Sequence, residues 1–93
     1  ALPIYLVLRR AAALFDAGLP CGDDANMGKL LASEATWHAA EACLQCHGGF
    51  GYAKEYDVER KWRETRLFQI APISTNLVLS YIGEHMLGMP RSF

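Results

Sequence analysis

The sequence predicts an all-α protein of three main helices and one short helix, part of a four-helix-bundle-type domain. Three observations support this fold class: apolar residues recur at helical spacing in three long stretches, glycine and proline separate those stretches, and no segment shows the pattern of a strand. The chain has 93 residues without an internal repeat or a linker. We therefore expect residues 1–93 to form a single helical domain.

The first helix is predicted over Leu2–Phe15, where apolar residues cover most of the circumference. A helix of this kind is normally buried on several sides. No Ser, Thr, Asp or Asn precedes it as an N-cap, which indicates a helix cut from a longer one. Gly18 and Pro20 supply its stop signal. We expect this helix to form an interface and the chain to self-associate through it.

The second helix is predicted to begin near Asp23 or Asp24, either of which can cap it. The acidic pair also suits the positive end of the helix dipole. The helix should run to about His47, with Gly48 just past its end. Its apolar positions share one broad face, which comprises Met27, Leu30, Leu31, Trp37 and Leu44. Gly28 costs about 1 kcal/mol relative to alanine, so it either marks a close helix–helix contact or is simply tolerated.

The next segment is predicted to be a loop over residues 49–57, followed by a short helix over Val58–Arg66. Within that helix, Glu59 and Arg63 have the i, i+4 spacing of an ion pair. The last helix is predicted to begin near Pro72, because proline is accepted in the first turn of a helix. Gly88 and Pro90 should end this helix. Its apolar face comprises Leu77, Val78, Tyr81, Ile82 and Met86.

Composition excludes several classes of protein. A formal net charge of −1 gives no reason to expect nucleic acid or an anionic membrane as partner. No apolar run approaches the roughly 20 residues needed to span a bilayer. A signal peptide is not expected either, because Leu2–Leu8 precedes Arg9 and Arg10 in the reverse of the usual order. The odd count of 3 cysteines argues against a disulfide framework and favours a reducing, cytoplasmic location.

Cysteine and histidine near the end of the second helix raise an alternative function. Cys43, Cys46 and His47 match C-x-x-C-H, the attachment pattern of c-type haem, and Met86 or Met89 would supply the second axial ligand. The motif falls late in a long helix and no export signal is visible, which counts against a cytochrome. The ordinary role of the two cysteines is that of small apolar core residues. A zinc site would need more ligands than these three residues provide.

The segment Leu44–Tyr52 and the residues after it, up to Arg66, resemble the carboxyl-terminal helical domain of the acyl-CoA dehydrogenases, a family of flavoenzymes. The resemblance extends from about Arg10 to the end of the chain, and members of that family are much longer. It implies that the chain is a fragment of an FAD-dependent enzyme that dehydrogenates acyl-CoA thioesters and passes electrons to an electron-transfer acceptor. The fragment alone is expected to be inactive. A helical interaction module without flavin chemistry is the alternative.

The resemblance also assigns residues. In the family, the matching glutamine and glycines approach the adenine and pyrophosphate part of FAD held by a neighbouring subunit. This implies that Gln45, Gly48, Gly49 and Gly51 bind FAD and that the parent enzyme is a homotetramer or a dimer. Without the flanking matches, the glycines would be interpreted as a helix terminus.

Many family members carry their catalytic base, a glutamate, in the segment that leads into the last helix. Pro72 occupies that position here and has no ionisable group, so we assign no catalytic residue in this chain. Ser74 and Asn76 stand where the family has flavin-contacting Thr and Gln, which implies that they contact the flavin. Capping of the last helix by these short polar side chains is the alternative.

Overall fold

The computed structural model describes residues 1–91, which contain helices and turns but no β-strand. The helices span Leu2–Asp16 (α1), Gly22–His47 (α2), Val58–Thr65 (α3), Leu67–Ile70 (α4) and Thr75–Tyr81 (α5). A 3₁₀ turn over Gly48–Tyr52 follows α2, and a π-helical turn over Ile82–Met86 extends α5. The all-α prediction is confirmed. The predicted short helix is α3, whereas the single-turn α4 was not anticipated.

Helix α2 organises the fold, since α1, α3, α4, α5 and both turns pack against it. Its 26 residues correspond to a length of about 39 Å. Helix α5 reaches its first turn, where the Tyr81 hydroxyl donates to Asp23 Oδ1 at 3.0 Å. Helix α3 lies against its second half, where the Trp62 indole N–H donates to Glu41 Oε2 at 2.7 Å. The two ends of α2 therefore carry different parts of the molecule.

Gly28 lies at the contact between α1 and α2 and is buried. A Cβ at this position would lie 2.8 Å from Leu8 Cδ2 and 3.8 Å from Val7 Cγ1. Gly28 thus marks a close helix–helix contact, and the alternative of a merely tolerated glycine is not needed. An ion pair at 3.1 Å between Arg10 Nε and Asp24 Oδ1 joins the same two helices.

The prediction that Asp23 or Asp24 caps α2 is wrong. The N-cap is Cys21, which makes no side-chain capping bond, and both aspartates lie inside the first turn. Their carboxylates bind α5 through Tyr81 and α1 through Arg10 instead. Their position near the positive end of the helix dipole agrees with the prediction.

The predicted boundaries on either side of α3 also need correction. Residues 48–52 form a 3₁₀ turn, so the predicted loop over residues 49–57 is irregular only in its second part. The last helix begins at Thr75 rather than near Pro72, because Ser74 is the N-cap and its Oγ accepts from the Leu77 amide at 3.3 Å. Pro72 lies before this cap, after an extended Ala71, as expected of a residue that precedes proline.

The described chain has a thin core. Val78 is the one fully buried large side chain within residues 1–91, with 1% of its surface exposed. Helix α1 contains no buried residue, and its large apolar side chains are exposed: Leu2 65%, Tyr5 57%, Leu6 56% and Phe15 74%. One side of α1 packs on α2, and the rest of its predicted apolar surface is uncovered by the described part of the chain. Among residues 1–91, no helix has the length and apolarity required to cross a membrane.

We expect the 93-residue chain to self-associate at micromolar concentration through α1, because exposed apolar surface of this kind favours association. The double variant Leu2→Ser, Leu6→Ser should shift sedimentation toward the monomer. Leu19→Ser, which changes a leucine of 55% exposure outside α1, is the matched control and should leave the distribution unchanged. A well-folded wild-type monomer would contradict this prediction.

Candidate functional site

The residues predicted to contact FAD lie at two places along α2. Gln45, Gly48, Gly49 and Gly51 are close together at its carboxyl end, and we call this segment, residues 45–51, the glycine turn. Ser74 and Asn76 lie where α5 begins, just after Ile73, whose carbonyl oxygen accepts a hydrogen bond from Lys29 of α2. At a rise of about 1.5 Å per residue, roughly 24 Å of helix separate Lys29 from Gln45. The structure therefore assembles the first group and keeps the second apart from it.

The glycine turn exposes backbone at two of its glycines. Gly48 has φ of +55°, a left-handed angle that favours glycine, and its amide donates to Gln45 O as α2 ends. A Cβ built on Gly48 or on Gly49 would meet nothing within 4 Å. The Gln45 side chain is exposed beside them. A flat polar group can thus approach this backbone closely.

Gly51 has a different environment from its two neighbours. It is buried, and a Cβ there would lie 2.7 Å from Leu44 O and 3.2 Å from His47 Cβ. The obstacle is backbone, which cannot move away as the end of a flexible side chain can. Packing of the turn onto α2 therefore accounts for glycine at this position.

Aromatic side chains lie within the glycine turn and directly after it, and they were not among the predicted site residues. Tyr56 lies edge-on to His47, with centroids 6.2 Å apart, and 5.5 Å from the Phe50 ring. Phe50 and Tyr52 expose 66% and 88% of their surface. Their placement on either side of Gly51 in the sequence is the signal that could have identified them as candidates for stacking on a planar ligand.

Helix α3 is fixed against α2 by an aromatic cluster. The rings of Trp37 and Trp62 lie 5.2 Å apart, and the Arg66 guanidinium lies 5.2 Å from the Trp37 ring centre. On the outer side of α3 the predicted pair of Glu59 and Arg63 is present. The hydrogen bond from Arg63 lowers the pKa of Glu59, and the same bond raises the pKa of Arg63. The contacts with Trp37 fix the path of the chain after the glycine turn.

The second place is the segment Ala71–Ser74, which we call the Pro72 loop. Lys29 Nζ donates to Phe68 O at 3.0 Å and to Ile73 O at 2.6 Å, on either side of Pro72. Thr75 Oγ1 donates to Gln69 O at 3.2 Å. Lys29 was missed in the sequence interpretation, where a single lysine on a long helix gave no signal of such distant partners.

A cleft of ≈ 330 Å³ opens beside the Pro72 loop. It is lined by Lys29, Ala32, Ser33, Thr36, Phe68, Ala71 and Pro72. Lys29 is the only ionisable residue in this lining, and no carboxylate takes the place of the one that Pro72 lacks. Ser74 acts as the N-cap of α5, as the capping alternative required, whereas Asn76 is exposed.

The haem alternative finds no support in this geometry. Cys43, Cys46 and His47 lie together on the last turns of α2, and His47 Nδ1 is 2.9 Å from Cys43 O. Met86 lies in the turn after Tyr81, which contacts Asp23, and roughly 36 Å of helix separate Asp23 from His47. His47 and Met86 are therefore far apart. Within residues 1–91, no three His, Cys, Asp or Glu side chains are grouped as metal ligands.

Both cysteines of the motif are exposed, so their predicted role as core residues is wrong for the described chain. The reason is that the end of α2 is only partly covered by the 3₁₀ turn and α3. Cys43 lies on the wall of a cleft between α2 and α3 rather than beneath it.

Comparison with known proteins shows a consistent set of relatives. Residues 4–87 match the family described as "Acyl-CoA dehydrogenase, C-terminal domain". Acyl-CoA dehydrogenase FadE12 of Mycobacterium tuberculosis is 41% identical over 90 residues, which cover 95% of this chain and 23% of that relative. An acyl-CoA dehydrogenase of Bacillus subtilis is 40% identical over 78 residues, covering 84% of this chain and 21% of the relative.

A mammalian relative extends the set. The short/branched chain specific acyl-CoA dehydrogenase, mitochondrial, of Rattus norvegicus is 35% identical over 81 residues, covering 87% of this chain and 19% of the relative. The chain thus spans between 19% and 23% of the length of these relatives.

Gly51→Ala should lower the free energy of unfolding by about 1–3 kcal/mol, the usual cost of overpacking, because its Cβ would collide with Leu44 O. Gly49→Ala is the matched control, since a Cβ there meets nothing within 4 Å. Urea unfolding followed by circular dichroism measures both variants. Equal effects of the two substitutions would contradict the packing role of Gly51.

Proposed function

Because the chain belongs to the acyl-CoA dehydrogenase family, as its carboxyl-terminal helical domain, we propose that it serves an FAD-dependent enzyme that dehydrogenates acyl-CoA thioesters. The observation that carries this proposal is the glycine turn, which presents open backbone at Gly48 and Gly49 next to the exposed amide of Gln45. In this proposal residues 1–93 act as one helical domain of a longer chain. The enzyme works in the cytoplasm and passes its electrons to an electron-transfer acceptor.

The glycine turn suits the adenine and pyrophosphate end of FAD. Missing side chains at Gly48 and Gly49 leave the backbone open to close approach by a phosphate or a ring. Gln45 offers both a donor and an acceptor to an adenine edge. Exposed rings at Phe50 and Tyr52 add stacking surface nearby. FAD, when bound, supplies the hydride-accepting chemistry, and these residues hold and orient it.

The Pro72 loop is proposed to meet the flavin through polar contacts without removing a proton itself. Asn76 is exposed and free to donate or accept, and Ser74, whose Oγ accepts the capping bond from the Leu77 amide, keeps its own O–H as a donor. Neither Pro72 nor the cleft beside it provides a carboxylate. The base that removes the α-proton therefore comes from another part of the enzyme.

The same arrangement supports a proposal about subunit assembly. The glycine turn and the start of α5 are separated by about 24 Å of α2, measured from Lys29 to Gln45. Helix α1 in addition leaves the large apolar side chains Leu2, Tyr5, Leu6 and Phe15 exposed in the described chain. We propose that the enzyme is a homotetramer or a dimer in which the glycine turn serves a neighbouring subunit's FAD.

One observation favours a second candidate, a helical interaction module that has lost flavin chemistry. Pro72 stands where the family's base is expected, and a chain without that base has one catalytic group fewer. The flavin content of the full-length protein separates the two candidates. Stoichiometric FAD supports the dehydrogenase, and its absence after FAD supplementation supports the module.

Gln45→Ala should weaken FAD binding of the full-length protein by about 3–10-fold, the value of one hydrogen bond between neutral groups. The fluorescence of FAD, followed while the apoprotein is titrated with FAD, measures the affinity. His38→Ala, an exposed site earlier on α2, is the control and should bind FAD as the wild type does. Unchanged affinity in the Gln45 variant would refute its role. The isolated 93 residues should purify without stoichiometric FAD.

Glu84→Gln should lower turnover of the full-length enzyme by less than about tenfold, because the base is supplied from outside this chain. Glu84 is the carboxylate that follows Pro72 on the last helical segment, and it is half-buried in the π-helical turn. Stopped-flow flavin reduction by an acyl-CoA gives the rate. A loss above about 100-fold with the fold intact would make Glu84 the base and overturn the assignment.

A further inference from the structure

Among residues 1–91, Lys29 is the one side chain whose hydrogen bonds tie the Pro72 loop to α2 from both sides of Pro72. We propose that Lys29 is a positioning residue, which fixes the Pro72 loop so that Ser74 and Asn76 are presented to the flavin. The proposal rests on the proposed function for its link to flavin. The fastening of the loop rests on geometry alone.

The ammonium group of Lys29 bridges two distant carbonyls. It donates to Phe68 O at 3.0 Å and to Ile73 O at 2.6 Å, residues that follow it by 39 and 44 positions. Ammonium has three donors and no acceptor, so two carbonyl partners use most of its capacity. Bonds from a charged donor are shorter and stronger than bonds between neutral groups. The lysine therefore fixes the span from Phe68 to Ile73.

The short helix α4 leaves carbonyl groups that require a hydrogen-bond donor, and Lys29 supplies one. A helix of 4 residues leaves its last carbonyls without partners inside the helix. Lys29 satisfies Phe68 O, and Thr75 Oγ1 satisfies the next carbonyl, Gln69 O, at 3.2 Å. Lys29 also holds Ile73 O, directly before Ser74. The end of α4 and the start of α5 are thus set at a fixed separation.

The role is one of positioning rather than catalysis. Both observed bonds of the ammonium group are to backbone oxygens of the loop, and the Lys29 stem forms part of the wall of the cleft beside Pro72. An ammonium group occupied in this way orients the loop and does not accept a proton. Its removal should alter the geometry of Ser74 and Asn76 without altering the distant glycine turn.

Hydrogen exchange of the 93-residue chain tests the fastening without any cofactor. In Lys29→Met, the amides of Ala71 and Leu77, which bond to Leu67 O and Ser74 Oγ, should exchange about tenfold faster. Lys29→Arg should restore part of the protection. Lys61→Met, at an exposed lysine of α3, is the matched control and should match the wild type. Unchanged exchange in Lys29→Met, or equal acceleration throughout α2, overturns the positioning role.

The flavin link is tested in the full-length flavoprotein. Lys29→Met should shift the visible absorbance bands of the bound flavin while FAD content stays at the wild-type level, since the glycine turn is intact. Lys61→Met should change neither quantity. Faster exchange at Ala71 and Leu77 with an unshifted flavin spectrum would retain the fastening and refute the contact between this loop and the flavin. A protein that binds no FAD would refute the proposed function instead.

Discussion

The packing of every other element against α2 is the constraint on which the structure depends. This 26-residue helix contacts α1, α3, α4, α5 and both turns, so its length determines how far apart their functional groups lie. The glycine turn forms at its carboxyl end and the Pro72 loop beside its middle. Because both are attached to one helix, roughly 24 Å of α2 between Lys29 and Gln45 keep the two places apart.

Polar bonds between distant residues compensate for a thin core. With Val78 as the one fully buried large side chain in residues 1–91, little apolar surface is removed from water inside the described chain. Tyr81 binds Asp23, Trp62 binds Glu41, and Lys29 binds the Pro72 loop. The bond with Asp23 raises the pKa of Tyr81, so this contact favours folding below the ordinary tyrosine range and is lost as pH rises above the raised value. Such bonds join helices whose apolar faces are partly exposed in the described chain.

The side chains and backbone at the two candidate places are suited to holding a ligand. Its two candidate places contain amides, hydroxyls, open glycine backbone and aromatic rings, and the cleft beside Pro72 contains a cation engaged by carbonyls. Groups of this kind orient a cofactor and shield it from water, but they do not transfer protons at neutral pH. A helical domain of this composition fits a division of labour in which the reacting groups belong to the cofactor and to other parts of an enzyme.

The sequence by itself determined the helical class and the carboxyl ends of α1 and α2, and it placed Gln45 close to the glycines of the glycine turn. These features depend on neighbouring residues: Gly18, Pro20 and Gly48 stop helices locally, and Gln45 lies within one turn of its glycines. The pair of Glu59 and Arg63 was predictable for the same reason, since both residues lie on one helix.

Only the tertiary structure decided which side chains link the helices and which surfaces remain open. Asp23 and Asp24 suit helix caps by local rules, yet Tyr81 and Arg10 engage them, because an available partner on another helix competes with the backbone. Burial of Cys43 and Cys46 depended on whether another helix covers the end of α2. The bonds of Lys29 join residues 39 and 44 positions apart, and a local pattern carries no information about contacts of that range.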